Sequence, residues 1–84
     1  MLFEYSNHSL EQMQLRNISK EIVDLVMKQP DRVINEADNQ QIFQKVIEQR
    51  LYRVFVTASK NPALIKTVYR NQKFLNTTRY ESKI

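Results

Sequence analysis

The side chain best suited to acid–base chemistry in this sequence is His8, the single histidine among 84 residues. Imidazole has an ordinary pKa near neutral pH, so His8 could give or take a proton in a reaction. His8 could equally be an ordinary helix residue that caps a turn or faces solvent. One histidine and no cysteine exclude a paired-histidine zinc helix, thiolate zinc sites, thiol nucleophiles and any mechanism that needs two imidazoles in one chain.

The sequence contains no glycine. This absence removes the glycine-rich dinucleotide fingerprint, the phosphate-binding P-loop and the strained Gly-x-Ser-x-Gly elbow of serine hydrolases. We therefore expect no nucleotide cofactor. No metal site is predicted either, because the carboxylates of Asp31, Glu36 and Asp38 are spread along a strand and a turn and are more typical of solvated loop residues.

The net charge of +4 divides unevenly along the chain. Residues 1–44 carry four basic and seven acidic side chains, a net charge of −3, whereas residues 45–84 carry nine and two, a net charge of +7. A strongly basic half indicates a polyanionic partner, most simply nucleic acid. A basic surface that only keeps the domain in solution explains the charge equally well.

A second residue with chemical potential is Arg53, which lies inside the apolar segment Arg50–Ala58. In a strand, the alternation predicts Tyr52, Val54, Val56 and Ala58 on the core face and Arg53, Phe55 and Thr57 on the other. An open sheet face bearing arginine and aromatic rings would suit a single-stranded nucleic acid. The alternative is a guanidinium that reaches solvent along its aliphatic stem.

Two helices are predicted in the N-terminal half. Asn7 and Ser9 are suitable caps for a first helix that carries Leu10 and Met13, and asparagine tolerates the left-handed conformation expected at Asn17, where this helix ends. Ser19 caps a second helix with an apolar stripe, and Pro30 ends it.

Four strands are predicted after Pro30, at Arg32–Ala37, Gln41–Ile47, Arg50–Ala58 and Ala63–Tyr69. Asp38-Asn39 forms the first hairpin turn, and residues 1–5 form a short leading strand or an extended arm. The predicted fold is α+β: two N-terminal helices packed on one face of a four-stranded antiparallel sheet. In the last strand, periodicity does not decide which side chains are exposed.

The chain is predicted to be a single domain, residues 1–84, with a core of about 6–73 and a basic C-terminal tail, 74–84. Its apolar runs are only a few residues long, so no membrane association is predicted. The N-terminal residues lack the basic flank and long apolar stretch of a secretory signal, which predicts a cytoplasmic protein.

Three segments carry a family resemblance: His8–Ser19, Leu51–Val56 and Ile65–Arg70. Together with Pro30-Asp31 after the second helix, they resemble a bacterial and cyanobacterial family of domains of unknown function. That family is grouped with the barnase/EndoU/colicin/RelE-like ribonuclease toxins, and the resemblance covers about residues 6–73. The sequence departs from the family pattern at Gln12, commonly arginine, and at Asn17, commonly glycine.

The resemblance implies a small, metal-independent endoribonuclease toxin of a toxin–antitoxin system, with a RelE- or barnase-like fold. It implies catalytic roles for His8 and Tyr69, and the partners would be RNA and a cognate antitoxin protein. Arg53 is assigned to transition-state stabilisation on its own sequence context, because a guanidinium among apolar strand residues is costly unless it is paired. A homodimer or a toxin–antitoxin hetero-oligomer would be the assembly. The alternative is a non-catalytic module that binds RNA or protein through its basic half. The resemblance implies substrate binding by Arg16 and Thr67. Positive charge alone suggests Lys45, Lys66 and Arg70 as further substrate-binding residues.

Overall fold

The computed structural model describes residues 3–71, so the predicted tail, 74–84, lies outside the described residues. Within these residues the chain forms two helices and five strands. In chain order they are β1 (Phe3–Tyr5), α1 (Asn7–Arg16), α2 (Lys20–Lys28), β2 (Arg32–Glu36), β3 (Gln40–Ile47), β4 (Arg50–Thr57) and β5 (Ala63–Asn71).

The five strands form one mixed sheet in the order β1-β5-β4-β3-β2. The α+β class is confirmed, but the prediction of four antiparallel strands is wrong. Phe3–Tyr5 adds a fifth strand, which runs parallel to Ala63–Ile65 of β5. A three-residue strand is too short to show alternation, and its partner lies about 60 residues away along the chain, so no local pattern could reveal the pairing.

Both helix starts are capped by serine. Ser6 precedes α1, and its Oγ accepts a hydrogen bond from the Ser9 backbone N–H at 3.0 Å, so the prediction of Asn7 or Ser9 as the cap is wrong. Ser9 is fully buried and donates its own hydroxyl to the Ser6 carbonyl at 2.8 Å. Ser19 caps α2 as predicted, with its Oγ accepting from the Ile22 N–H at 3.2 Å.

Five residues between Phe3 and Asn71 adopt a left-handed backbone conformation, none of them glycine. Asn17, with φ 59°, ends α1 as the sequence predicts. Asp38 and Asn39, with φ 64° and 60°, form the β2–β3 turn. Glu48 and Gln49, with φ 51° and 66°, form the two-residue turn between β3 and β4. Asparagine and aspartate tolerate this conformation better than most residues, whereas glutamate and glutamine have no such advantage.

The two helices and the sheet enclose one apolar core. On β4, the predicted core residues Tyr52, Val54 and Val56 are buried, with exposed fractions of 4% or less, whereas Ala58 lies in the following turn and is exposed. The complete core cluster contains Met13, Ile18, Val23, Val26, Met27, Phe43, Tyr52, Val54, Val56, Ile65 and Val68.

A β-bulge in β5 explains why its periodicity was ambiguous. Val56 pairs with Ile65 and Phe55 pairs with Thr67, so Lys66 is the extra residue. Both Ile65 and Val68 are therefore buried in the core, although a regular strand would place them on opposite faces. After the bulge, Thr67 shares a face with Phe55.

Candidate functional site

Four side chains from β4 and β5 project from the sheet face opposite the helices. Arg53 pairs in register with Tyr69, and Phe55 with Thr67, so each pair shares one face. Arg16 reaches the same place from the end of α1. We call these five residues the open-face cluster: Arg16, Arg53, Phe55, Thr67 and Tyr69.

The Tyr69 ring is the centre of the cluster. Phe55 meets it edge to face, with the ring centroids 5.5 Å apart and an interplanar angle of 84°. The Cζ atom of Arg16 lies 5.1 Å from the centroid of Tyr69. Each such contact contributes about 0.5–1 kcal/mol at a partly exposed site, so together they hold the Tyr69 ring in place. The ring still keeps an exposed fraction of 43%, which leaves it accessible to a ligand.

Helix α1 lies beside the outer edge of β5 and thereby positions Arg16. The Ser6 N–H donates to the Ile65 carbonyl at 3.0 Å, which fixes the start of the helix. One helical turn before Arg16, the Gln12 Oε1 atom accepts a hydrogen bond from the Val68 N–H at 3.3 Å. Because residues four apart lie on one helix face, this bond also directs Arg16 toward β5 and Tyr69.

His8 belongs to the same stripe of α1, one turn before Gln12, and its side chain is exposed. A rise of 1.5 Å per residue places it about 12 Å from Arg16 along the helix axis. The structure therefore brings Arg16, Arg53, Thr67 and Tyr69 together and leaves His8 at the far end of the stripe, beside the start of β5.

A shallow pocket of about 280 Å³ opens next to Tyr69. This volume lies just below the usual range for small-molecule sites, so the pocket can take one small group rather than a large ligand. Its walls combine apolar and basic side chains. The lining residues are Leu51, Arg53, Phe55, Tyr69, Arg70 and Asn71.

The sequence matches the family model described as a domain of unknown function, DUF4258, over residues 5–70. The chain belongs to the DUF4258 family. No curated protein matches the chain, and no solved structure does. The match covers nearly all of β1 to β5, and thus the open-face cluster lies entirely within the DUF4258 domain.

The predicted substrate-binding lysines do not join the open-face cluster of this DUF4258 domain. The Lys45 Nζ atom lies 3.4 Å from the Asp31 Oδ1 atom, and the other carboxylate oxygen of Asp31 accepts from the Val46 N–H at 2.9 Å. Lys45 is therefore tied into the junction of β2 and β3. Lys66 is the bulge residue, and its carbonyl accepts from the Ser6 hydroxyl at 3.2 Å.

Arg70 is the remaining predicted binding residue. It lines the pocket, although its register partner is Tyr52 of the core face. Its Nε atom is buried and has no hydrogen-bond partner within residues 3–71. Arg70 can therefore still donate to an anionic group that enters the pocket.

The alternation of β4 already places Phe55 on the face of Arg53, because the two residues lie two apart in the strand. Gln44 is a residue near the site that the sequence did not indicate, because only the β3–β4 register places it opposite Arg53. Its exposed fraction is 7%, and among the described residues its Oε1 atom accepts no hydrogen bond.

The charges around the site differ from those on the rest of the domain. The open-face cluster contains two arginines and no carboxylate, whereas α2 carries the ion pair Asp24–Lys28, at 3.0 Å, and the β2–β3 junction carries Asp31–Lys45, at 3.4 Å. Away from the cluster, burial and, to a smaller extent, the Asp24 carboxylate raise the pKa of Tyr5. Lys20 lies over the same ring, 5.4 Å from its centroid.

Two other kinds of site were sought in the described part of the chain. Between Phe3 and Asn71 there is no group of three or more histidine, cysteine, aspartate or glutamate side chains placed to hold a metal ion. Neither of the two helices described is long and apolar enough to cross a bilayer.

Proposed function

We propose that this DUF4258 domain is a small, metal-independent endoribonuclease that acts as the cytoplasmic toxin of a toxin–antitoxin pair. The observation that supports the proposal best is the open-face cluster. Arg53, Phe55 and Tyr69 lie on the sheet face opposite the helices, and Arg16, at the end of α1, lies over the Tyr69 ring. Aromatic rings stack on bases and arginines bind phosphates, and this combination is typical of surfaces that bind single-stranded nucleic acid.

The proposed reaction uses the ribose 2′-hydroxyl of the RNA as the nucleophile. The 2′-oxygen attacks the adjacent phosphorus and loses its proton to a base, while the bond to the 5′-oxygen breaks and that oxygen receives a proton. The products are a 2′,3′-cyclic phosphate and a 5′-hydroxyl. The chain must supply a base, an acid and cations that stabilise the extra negative charge of the phosphorane.

The cations of the site have clear candidates. Arg53 lies across from Tyr69 in the sheet, and Arg16 stands over the same ring. A phosphate bound between them would therefore be contacted from two sides. We assign transition-state stabilisation to Arg53 and phosphate binding to Arg16, with Thr67 and Arg70 as further donors to phosphate oxygens.

The proton transfers fall to Tyr69 and His8. Tyr69 lies within the cluster, so its hydroxyl can serve the leaving 5′-oxygen. His8 lies about 12 Å along α1 from Arg16. The attacking 2′-oxygen belongs to the ribose that carries the scissile phosphate, so His8 can take its proton only if that phosphate binds along α1 between the two side chains, within reach of both.

The decisive experiment incubates the full chain with RNA in excess EDTA. We expect discrete fragments with 2′,3′-cyclic phosphate ends. An oligonucleotide with a single 2′-deoxyribose at the cleaved position should resist cleavage, because the nucleophile is missing. Cleavage of that oligonucleotide at the same position would contradict the mechanism.

The site assignment is tested with matched arginine variants. Arg53→Ala should abolish cleavage, whereas Arg50→Ala should retain it, because Arg50 is exposed on the same strand and, three residues away, points to the opposite face. Circular dichroism and thermal unfolding must show that both variants fold. Equal activity of the two variants would refute the assignment of Arg53, and His8→Ala tests the imidazole in the same way.

Toxicity and an antitoxin are tested in cells. Induced expression of the wild-type chain should arrest growth, and Arg53→Ala should not. An inhibitor that covers the basic open face should be acidic and should compete with RNA for binding. Harmless overexpression of the wild-type chain would contradict the toxin proposal.

The separation of His8 from the open-face cluster favours one second candidate, a non-catalytic module that binds single-stranded RNA. Such a module needs the Tyr69 platform and the arginines but no imidazole. It predicts RNA binding that survives His8→Ala unchanged and leaves the RNA intact. Fluorescence anisotropy with a labelled oligonucleotide, followed by gel analysis of the same sample, distinguishes the two functions.

A further inference from the structure

Strand β2 forms one edge of the sheet. The hydrogen-bond pattern shows which of its backbone N–H and C=O groups point away from the sheet. The Ala58 N–H donates to the Asn39 carbonyl at 2.8 Å, so odd-numbered residues of β3 bond to β4. Groups alternate along an antiparallel strand, and even-numbered residues of β3 therefore bond to β2. In the register of β2 with β3, the outward N–H and C=O groups of β2 belong to Val33 and Asn35.

The other edge of the sheet is protected. Strand β1 covers the first part of β5, and the Gln12 side chain accepts the outward N–H of Val68. Proteins usually protect exposed strand edges with proline, a bulge or charged side chains. Strand β2 has no proline, lysine or bulge within Arg32–Glu36, and its two charges, Arg32 and Glu36, are of opposite sign. Its central residue, Ile34, is half-buried, and the other four are exposed.

The side chains of β2 are self-complementary about Ile34. Its sequence, Arg-Val-Ile-Asn-Glu, places a cation two residues before Ile34 and an anion two residues after it. If a second β2 pairs antiparallel with Ile34 at the two-fold axis, Arg32 of each copy lies across from Glu36 of the other. Opposite charges across an antiparallel pair stabilise it.

The same register satisfies the backbone. With Ile34 across from Ile34, Val33 lies across from Asn35, and these are the residues whose N–H and C=O groups point outward. The two symmetric pairs exchange four hydrogen bonds in total. A shift of one residue would bring inward-pointing groups together and would also separate Arg32 from Glu36.

An exposed apolar side chain lies on this edge, on the helix face of the sheet. Val33 keeps an exposed fraction of 38% and pairs with the core residue Phe43. A second copy paired with β2 would cover part of this side chain.

We propose that two copies of this chain associate through their β2 strands, antiparallel about Ile34, to form one continuous ten-stranded sheet. The open-face clusters of the two copies lie on β4 and β5, away from the new contact. The contact is small, so the dimer should be weak and its population should depend on concentration.

The register is tested by exchanging charges. In Arg32→Glu, and separately in Glu36→Arg, each homodimer would bring two pairs of like charges together, so the dimer dissociation constant should rise about tenfold or more. When the two variants are mixed, both pairs carry opposite charges again. The mixture should therefore form a heterodimer about as stable as the wild-type dimer.

Sedimentation equilibrium of the full chain, at concentrations up to about 1 mM, measures these constants. Glu11→Arg is the matched control: it reverses the charge of an exposed residue on α1, away from β2, and should leave the dissociation constant unchanged. Val33→Pro removes an outward N–H without touching the β3 pairing, so it should give a folded monomer.

Two results would overturn the proposal. One is a wild-type chain that stays monomeric throughout the concentration range. This result would also be obtained if β2 pairs with a strand of a different protein. The other is a dimer in which the mixed charge variants associate no better than each variant alone, because such a dimer uses a different surface or register.

Discussion

The turn between β3 and β4 should be more stable with glycine at its second position. Gln49 adopts φ 66° in a two-residue turn, a conformation that costs a residue with a Cβ atom about 1–2 kcal/mol. Glycine avoids this cost but gains entropy in the unfolded chain, which takes back about 0.5–1 kcal/mol. We therefore expect Gln49→Gly to raise the free energy of unfolding by about 1 kcal/mol.

For a domain of this size, such a gain raises the melting temperature by about 4–8 °C. Urea unfolding followed by circular dichroism gives the free energy, and calorimetry gives the melting temperature. Glu48→Asn combined with Gln49→Gly creates the Asn-Gly pair that this turn type favours and should add a further increment.

Gln29→Gly is the matched control, because Gln29 is also exposed but has φ −134°. There glycine relieves no strain and loosens the unfolded chain, so this variant should be slightly less stable than the wild type. If Gln49→Gly is destabilised as much as Gln29→Gly, the left-handed conformation at residue 49 carries no cost and the reasoning fails.

Three further predictions concern the core, the site and Tyr5. Val54→Ala, at a fully buried position, should lower the free energy of unfolding by about 2–3 kcal/mol in urea titrations; a loss below half of that would mean that the core collapses around the gap. Tyr69→Ala should weaken binding of single-stranded RNA by about 1–3 kcal/mol in anisotropy titrations, with unchanged affinity counting against stacking. Burial and the Asp24 carboxylate raise the pKa of Tyr5 above its ordinary 10.0. Its neutral form therefore contributes stability below pH 10.0 that is lost as the pH rises through the raised value. Tyr5→Phe should flatten the decline of stability in strong alkali, and parallel declines in both proteins would refute this.

The sequence predicted those features of the fold that depend on a few neighbouring residues. The cap at Ser19, the left-handed end of α1 at Asn17 and the turn at Asp38-Asn39 each follow from the chemistry of the residue itself, and the structure confirms all three. The core face of β4 was also predicted, because its alternation is unbroken.

The features that were missed depend on contacts between distant parts of the chain. The pairing of β1 with β5 is parallel and leaves no signal in three residues. The bulge at Lys66 changes the phase of β5 only because β4 is its partner. A bulge is defined by the pairing of two strands, so the sequence of β5 alone does not show where its alternation changes phase.

The candidate site divides in the same way. The shared face of Arg53 and Phe55 follows from spacing, and the structure joins them to Tyr69 and Arg16 as part of one cluster. The ion pair of Lys45 with Asp31 could not be foreseen, because it joins the start of β2 to the far end of β3. Whether His8 acts with the cluster stays a prediction for the cleavage experiments.

The hydrogen bond between Gln12 and Val68 means that residue 12 can either accept a hydrogen bond from β5 or carry a positive charge, but not both. An arginine at this position would have no acceptor atom and could not receive the Val68 N–H. It would add a third cation beside Arg16 and Arg53 and would leave this strand edge to water. With glutamine, the site has one positive charge fewer beside the cluster, but α1 is hydrogen-bonded to β5, the strand that carries Tyr69. A Gln12→Arg variant would convert one arrangement into the other within a single protein.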